Sequence, residues 1–90
     1  GGKDYTKYGK ILQTIEDGGD LKAAAKEYFD HGAEKGDIGS EITKAYKPQY
    51  IEASPEERKK LKEKLLEAYV ALGFNRADKS KDIDKWLKEK

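Results

Sequence analysis

The clearest pattern of apolar and polar positions predicts one long amphipathic helix, from about Ser54 to Leu72. Apolar side chains recur along it at steps of three and four residues, which places them on one helical face: Leu61, Leu65, Ala68, Tyr69 and Leu72. Lysine, arginine and glutamate cover the other face. The apolar face needs a partner surface, so we expect the rest of the chain to pack against this helix.

Capping residues mark both the start and the end of the long helix. Ser54 can accept a hydrogen bond from a free amide of the first turn, Pro55 suits the first helical position, and Glu57 completes an S-x-x-E capping box. Gly73 can adopt the left-handed conformation that ends a helix, and Phe74 can fold back onto the last turn.

Two shorter helices are predicted in the first third of the chain. The first runs from Asp4 to Glu16, with one apolar face formed by Tyr5, Tyr8, Leu12 and Ile15. Two glycines then break it before Asp20, which is placed to cap a second helix from Leu21 to about Ala33. The alanines of this second helix would allow another helix to approach closely.

A third helix is predicted to begin near Ile38 or Ser40. Pro48 lacks a backbone donor and disfavours helical geometry at the preceding residue, so the helix either ends near Tyr46 or continues after a kink. We favour a kink or a short break. In both cases Tyr46, Tyr50 and Ile51 are expected on the buried side.

A connection from Phe74 to Asp78 is predicted to lead into a last short helix, capped by Ser80 or Asp82. We expect Trp86 to be largely buried, because so short a helix forms only if its apolar face docks. Strand patterns are absent from the sequence. The predicted fold is an all-α compact bundle of four to five helices, with the first and last packed on the long helix.

Length and composition predict a single domain. Residues 4–90 are assigned to it, and Gly1 to Lys3 are interpreted as a cleavage remnant or a disordered N-terminus. Charged residues make up 41% of the 90 residues, yet the net charge is only +1. The chain has no cysteine and no long apolar run, so we expect no membrane span and a reducing, cytoplasmic location. The pattern leaves the oligomeric state open.

Candidate chemistry is sparse, and we predict neither an enzyme nor a cofactor or metal site. The only histidine, His31, lies near a helix C-terminus, where the helix dipole favours its cation. The acidic residues from Asp78 to Glu89 match part of a calcium loop, but Ile83 stands where that loop needs glycine. Helix capping explains these residues with fewer conflicts.

Two kinds of partner are compatible with the remaining surface. We predict a small non-catalytic protein-interaction module, and the alternative is a nucleic-acid-binding domain that uses lysines and tyrosines. Near-neutral charge and the presence of only two arginines disfavour the alternative. The candidate binding residues combine aromatic and basic side chains: Tyr46, Lys47, Tyr50, Arg58 and Lys59.

The second half of the chain also resembles a known type of module. A Y-K-P-x-Y element at Tyr46 to Tyr50, a helix ending in A-L-G-F and a terminal W-L-K at Trp86 to Lys88 are similar to a short helical module of uncharacterised phage and prophage proteins. The resemblance implies no catalytic residue. A cleanly capped Lys/Glu-rich chain without Cys or Met is also typical of an engineered protein, although Pro48 and the irregular glycines are less typical of one.

Overall fold

The computed structural model describes residues 8–89, and over that range it contains five α-helices and no strand. The helices are α1 (Gly9–Asp17), α2 (Leu21–Asp30), α3 (Lys35–Glu52), α4 (Pro55–Leu72) and α5 (Arg76–Glu89). The predicted all-α bundle of four to five helices is confirmed. The interpretation of Gly1 to Lys3 and the placement of Asp4 and Tyr5 in the first helix lie outside the described residues.

Helix α4 begins and ends as its sequence predicts. Ser54 Oγ accepts a hydrogen bond from the Glu57 N–H at 3.3 Å, and the Glu57 carboxylate accepts one from the Ser54 N–H at 3.1 Å. Gly73 has φ 105°, and the N–H of Phe74 donates to the Tyr69 carbonyl at 3.0 Å. The rings of Phe74 and Tyr69 meet edge to face at 5.8 Å, which completes a Schellman-type end.

Helix α3 begins earlier than predicted, at Lys35 rather than near Ile38 or Ser40. The Asp37 carboxylate accepts a hydrogen bond from the Glu34 N–H at 3.3 Å and so pairs a free donor at the helix start. Gly36 and Gly39 lie at the start of α3, and because glycine disfavours helix, this segment was expected to be a loop. Ile38 is fully buried, and its packing in the core offsets their weak helix preference.

Pro48 does not end α3, which continues through it to Glu52. Of the two alternatives, an end near Tyr46 or a short break is therefore wrong, and the helix continues. The expected burial of Tyr46 and Tyr50 is confirmed, whereas Ile51 is only partly buried. Pro48 itself is exposed. The backbone next to it can therefore be hydrated, which reduces the cost of the missing intrahelical hydrogen bond.

Helix α5 also begins earlier than predicted, at Arg76. Asn75, rather than Ser80 or Asp82, supplies the first cap, because its side-chain oxygen accepts a hydrogen bond from the Asp78 N–H at 2.9 Å. Residues 76–78 of the predicted connection are therefore helical, while Phe74 and Asn75 remain outside the helix. Trp86 is buried, as predicted.

Helices α1 and α2 form an antiparallel pair around the Gly18 turn. Asp20 caps α2 by accepting from the Ala23 N–H at 3.1 Å, as predicted. Helix α1 begins at Gly9, so Tyr8 precedes it as the cap residue. Helix α2 ends at Asp30, three residues before the predicted end.

The position of α1 differs from the prediction. It packs mainly on α2 rather than on α4, and α2 in turn packs on α4, as do α3 and α5. Lys10 near the start of α1 pairs with Glu27 near the end of α2 at 3.0 Å. Only residues 18–20 connect the two helices, and so short a connection favours their packing as an antiparallel pair.

The core lies around α4, whose Leu65 and Tyr69 are fully buried. Buried apolar residues of the other four helices surround them, including Ile11, Ala25, Ile42 and Ile83. Across residues 8–89, no helix is both long enough and apolar enough to cross a membrane.

Candidate functional site

Two of the five candidate binding residues belong to the core. Tyr46 and Tyr50 are only 2% and 5% exposed. The ring of Tyr50 meets Trp86 edge to face at 5.6 Å, and the Tyr46 hydroxyl donates to the Glu16 carboxylate. Burial, together with that carboxylate, raises the pKa of Tyr46. Neither ring presents a face on which a nucleic-acid base could stack, which removes the aromatic part of the predicted contact set.

Arg58 is half-buried and holds the C-terminal end of α3. Its Nε donates to the Tyr50 carbonyl at 3.0 Å, and its Nη2 donates to the Ile51 carbonyl at 2.7 Å. Both carbonyls belong to the last turn of α3, where helical acceptors lack intrahelical donors. Arg58 therefore has a structural role at this helix end, and its predicted binding role stays a prediction. Lys59 is exposed and Lys47 is half-buried.

His31 and Tyr69 are also engaged by neighbouring groups. His31 Nδ1 lies 2.8 Å from the Glu27 carbonyl, at the C-terminal end of α2. The Tyr69 hydroxyl lies 2.6 Å from Thr43 Oγ1, and burial raises the pKa of Tyr69 although this hydrogen bond opposes the shift. These contacts stabilise helices and helix packing, and they place no nucleophile beside a base.

A groove of about 660 Å³ lies between the α1–α2 turn and one side of α4. We call it the α4 groove. Its apolar lining comes from three helices and consists of Ile15, Leu21, Ala68 and Ala71. Its polar lining consists of Thr14, Glu16, Asp17, Asp20, Lys22, Lys64 and Glu67, together with Gly18 and Gly19.

Small residues shape both sides of the α4 groove. Ala68 and Ala71 are three residues apart on α4, so they lie on the same side of that helix. On the opposite side, Gly18 has φ 69° and ends α1 in the left-handed conformation without a side chain. An approaching backbone could therefore come close to α4 at this position.

A second groove, of about 450 Å³, lies between the end of α3 and the first half of α4. It shares Lys64 with the α4 groove, but its apolar lining is limited to Ala53 and Leu61. Its two carboxylates, from Glu52 and Glu57, are matched by two ammonium groups. The α4 groove therefore has more apolar lining residues than the second groove, four against two.

Sequence reasoning did not identify the α4 groove. Its lining comes from segments as far apart as Thr14 and Ala71, and no local pattern records that they meet. The one feature of the sequence that could have indicated a contact surface there was Ala71, a small residue beside the main apolar face of α4.

Comparisons with protein-family models, with curated proteins and with solved structures find no match to this chain. The resemblance to phage and prophage modules therefore stays a prediction.

Proposed function

We propose that this chain is a non-catalytic helical module that binds a protein partner through the α4 groove. The observation that carries the proposal is the combination of an apolar lining from three helices with a charged rim. Protein interfaces commonly have an apolar centre surrounded by polar groups that exclude or order water. The groove accommodates side chains of a folded partner segment and leaves the core of the module unchanged.

The surroundings of the polar side chains support a binding module over an enzyme. Tyr46, Arg58 and Tyr69 each serve helix packing or helix capping. Across residues 8–89, no three His, Asp or Glu side chains are grouped so that they could hold a metal ion. Chemistry would require a reactive group beside an acid or base, whereas recognition requires only shape and charge.

The size of the groove predicts a transient contact. Ala68, Leu21 and Ile15 are each under 10% exposed, so the apolar surface that a partner can cover is limited. Small interfaces of this kind are typical of weak signalling or assembly contacts. We expect dissociation constants on the order of micromolar.

The test is a selection from a displayed library of helical peptides on the immobilised chain. Enriched peptides are then measured against Ala71→Gln, which extends an uncharged side chain into the groove. Val70→Gln is the matched control, since Val70 is the adjacent residue, is 45% exposed and does not line the groove. We expect Ala71→Gln to lose at least tenfold in affinity and Val70→Gln to bind as the parent chain does. Equal binding to both variants, or enrichment of no peptide, would contradict the proposal.

A further inference from the structure

The rim of the α4 groove carries an excess of negative charge. Four carboxylates line it, from Glu16, Asp17, Asp20 and Glu67, against two ammonium groups, from Lys22 and Lys64. The whole chain has a net charge of +1, so the groove has the opposite sign to the molecule. A negatively charged groove attracts a positively charged partner even when the net charge of the whole chain is positive.

The neutralisation inside the groove is incomplete. Lys64 Nζ lies 3.8 Å from Glu16, which also accepts the hydrogen bond from Tyr46. Asp17 accepts a hydrogen bond from the uncharged amide of Gln13 at 3.0 Å. Among the described residues, Glu67 has no salt bridge or side-chain hydrogen bond. Asp17 and Glu67 therefore remain available to a cation from outside the chain.

The shape of the groove favours a helix as its occupant. Lys64 and Ala71 both line it, and seven residues of α4 extend about 10 Å at the helical rise. Ala71 is partly exposed and has a small side chain, and helices pack most closely where small residues meet. An amphipathic helix lays its apolar face into such a groove through residues three and four apart.

We propose that the α4 groove binds a cationic amphipathic helix of a partner protein. The helix places small or medium apolar side chains on Ala71, and its flanking lysines or arginines pair with Asp17 and Glu67. This inference rests on the proposed function and specifies the chemistry of the partner at the same surface.

The test uses two stapled helical peptides of the same length with identical apolar faces. One peptide carries lysines on both flanks, and the other carries glutamates at the same positions. Isothermal titration calorimetry measures each peptide against the full chain and against the double variant Asp17→Asn and Glu67→Gln. The control double variant is Asp30→Asn and Glu56→Gln, which changes two exposed carboxylates outside the groove. Circular dichroism confirms that each variant is folded.

We expect the lysine peptide to bind at least tenfold more tightly than the glutamate peptide. The Asp17 and Glu67 double variant should reduce that preference to about threefold or less, and the control should retain it. Stronger binding of the glutamate peptide would overturn the cationic partner, and so would a preference for lysine that survives loss of both carboxylates. In either case the proposed function stands if binding of the library peptides still depends on Ala71. Absence of any groove-dependent binding overturns both.

A second copy of the chain is the competing occupant. Sedimentation at several concentrations would show a dimer that Ala71→Gln dissociates, and that result would also overturn the inference. A monomer throughout the range supports it.

Discussion

Tyr46 donates its hydroxyl hydrogen bond to the carboxylate of Glu16, which joins the middle of α3 to the C-terminal end of α1. Tyr46 is buried, whereas Glu16 lies on the rim of the α4 groove and also faces Lys64 at 3.8 Å. The contact therefore connects the core of the bundle with the proposed binding surface. Its loss should be measurable both as stability and as pH dependence.

Tyr46→Phe should lower the free energy of unfolding by about 1 to 2 kcal/mol near neutral pH, because a hydrogen bond to a partly exposed carboxylate is lost. The pKa of Tyr46 is raised in the folded chain, so this tyrosine stabilises the fold at pH values below its unfolded pKa of 10.0. As the pH rises above that value, unfolded tyrosine loses its proton while folded Tyr46 keeps it, and the contribution declines.

The measurement is urea unfolding of the parent chain and Tyr46→Phe between pH 8 and pH 11. The stability difference between the two should be constant up to about pH 9.5 and should shrink above it. A difference that grows at alkaline pH would contradict the structural assignment. The comparison cancels titration of lysines, which both chains share.

Arg58→Lys should destabilise the fold by about 1 to 2 kcal/mol although it keeps the positive charge. The guanidinium of Arg58 reaches two carbonyls of α3, and a lysine ammonium cannot reproduce this planar pair of donors. Lys59→Ala is the matched control, since Lys59 is exposed and should change stability by less than about 0.5 kcal/mol. Chemical denaturation of both variants checks the prediction, and an Arg58→Lys protein as stable as the parent would refute the capping role.

Gly39→Ala should destabilise α3 although alanine is the better helix former. A methyl group at Gly39 would lie 2.9 Å from the ring of Phe74, which Lys79 and Tyr69 hold in place. We expect a loss of about 1 to 3 kcal/mol from this overlap.

Gly36→Ala provides the opposite case in the same helix. A methyl group there meets nothing within 4 Å, so the variant should gain up to about 1 kcal/mol from reduced backbone freedom in the unfolded chain. Thermal unfolding of both variants gives the comparison. A Gly39→Ala protein that melts above Gly36→Ala would show that Phe74 can move aside.

Local chemistry explains which predictions were confirmed. Ser54, Glu57 and Gly73 cap α4 through hydrogen bonds and backbone conformations that span only a few residues. The burial of Leu65 and Trp86 follows from helical periodicity in the same way. The all-α class and the bounds of α4 could therefore be derived from the sequence, although α3 is equally long, with 18 residues in each helix.

Long-range packing explains the differences. Pro48 and the glycines near Lys35 weaken helix formation locally, but buried residues on both sides stabilise α3 through them. Arg58 resembled a surface cation in the sequence, and its position on α4 next to the end of α3 makes it a cap. Each of these outcomes depends on contacts between residues that are far apart in the sequence, so local patterns do not predict it.

The sequence by itself determined the helical class, the caps of α2 and α4, and the burial of Leu65, Tyr69 and Trp86. It did not place Ile11 on the buried side of α1, where the structure buries it fully. The tertiary structure alone decided that α1 packs on α2, that Tyr46 and Arg58 serve the fold, and that Asp17, Glu67 and Ala71 line one groove. The physical reason is distance along the chain. Capping and periodicity act over a few residues, whereas a groove depends on which distant surfaces exclude water together.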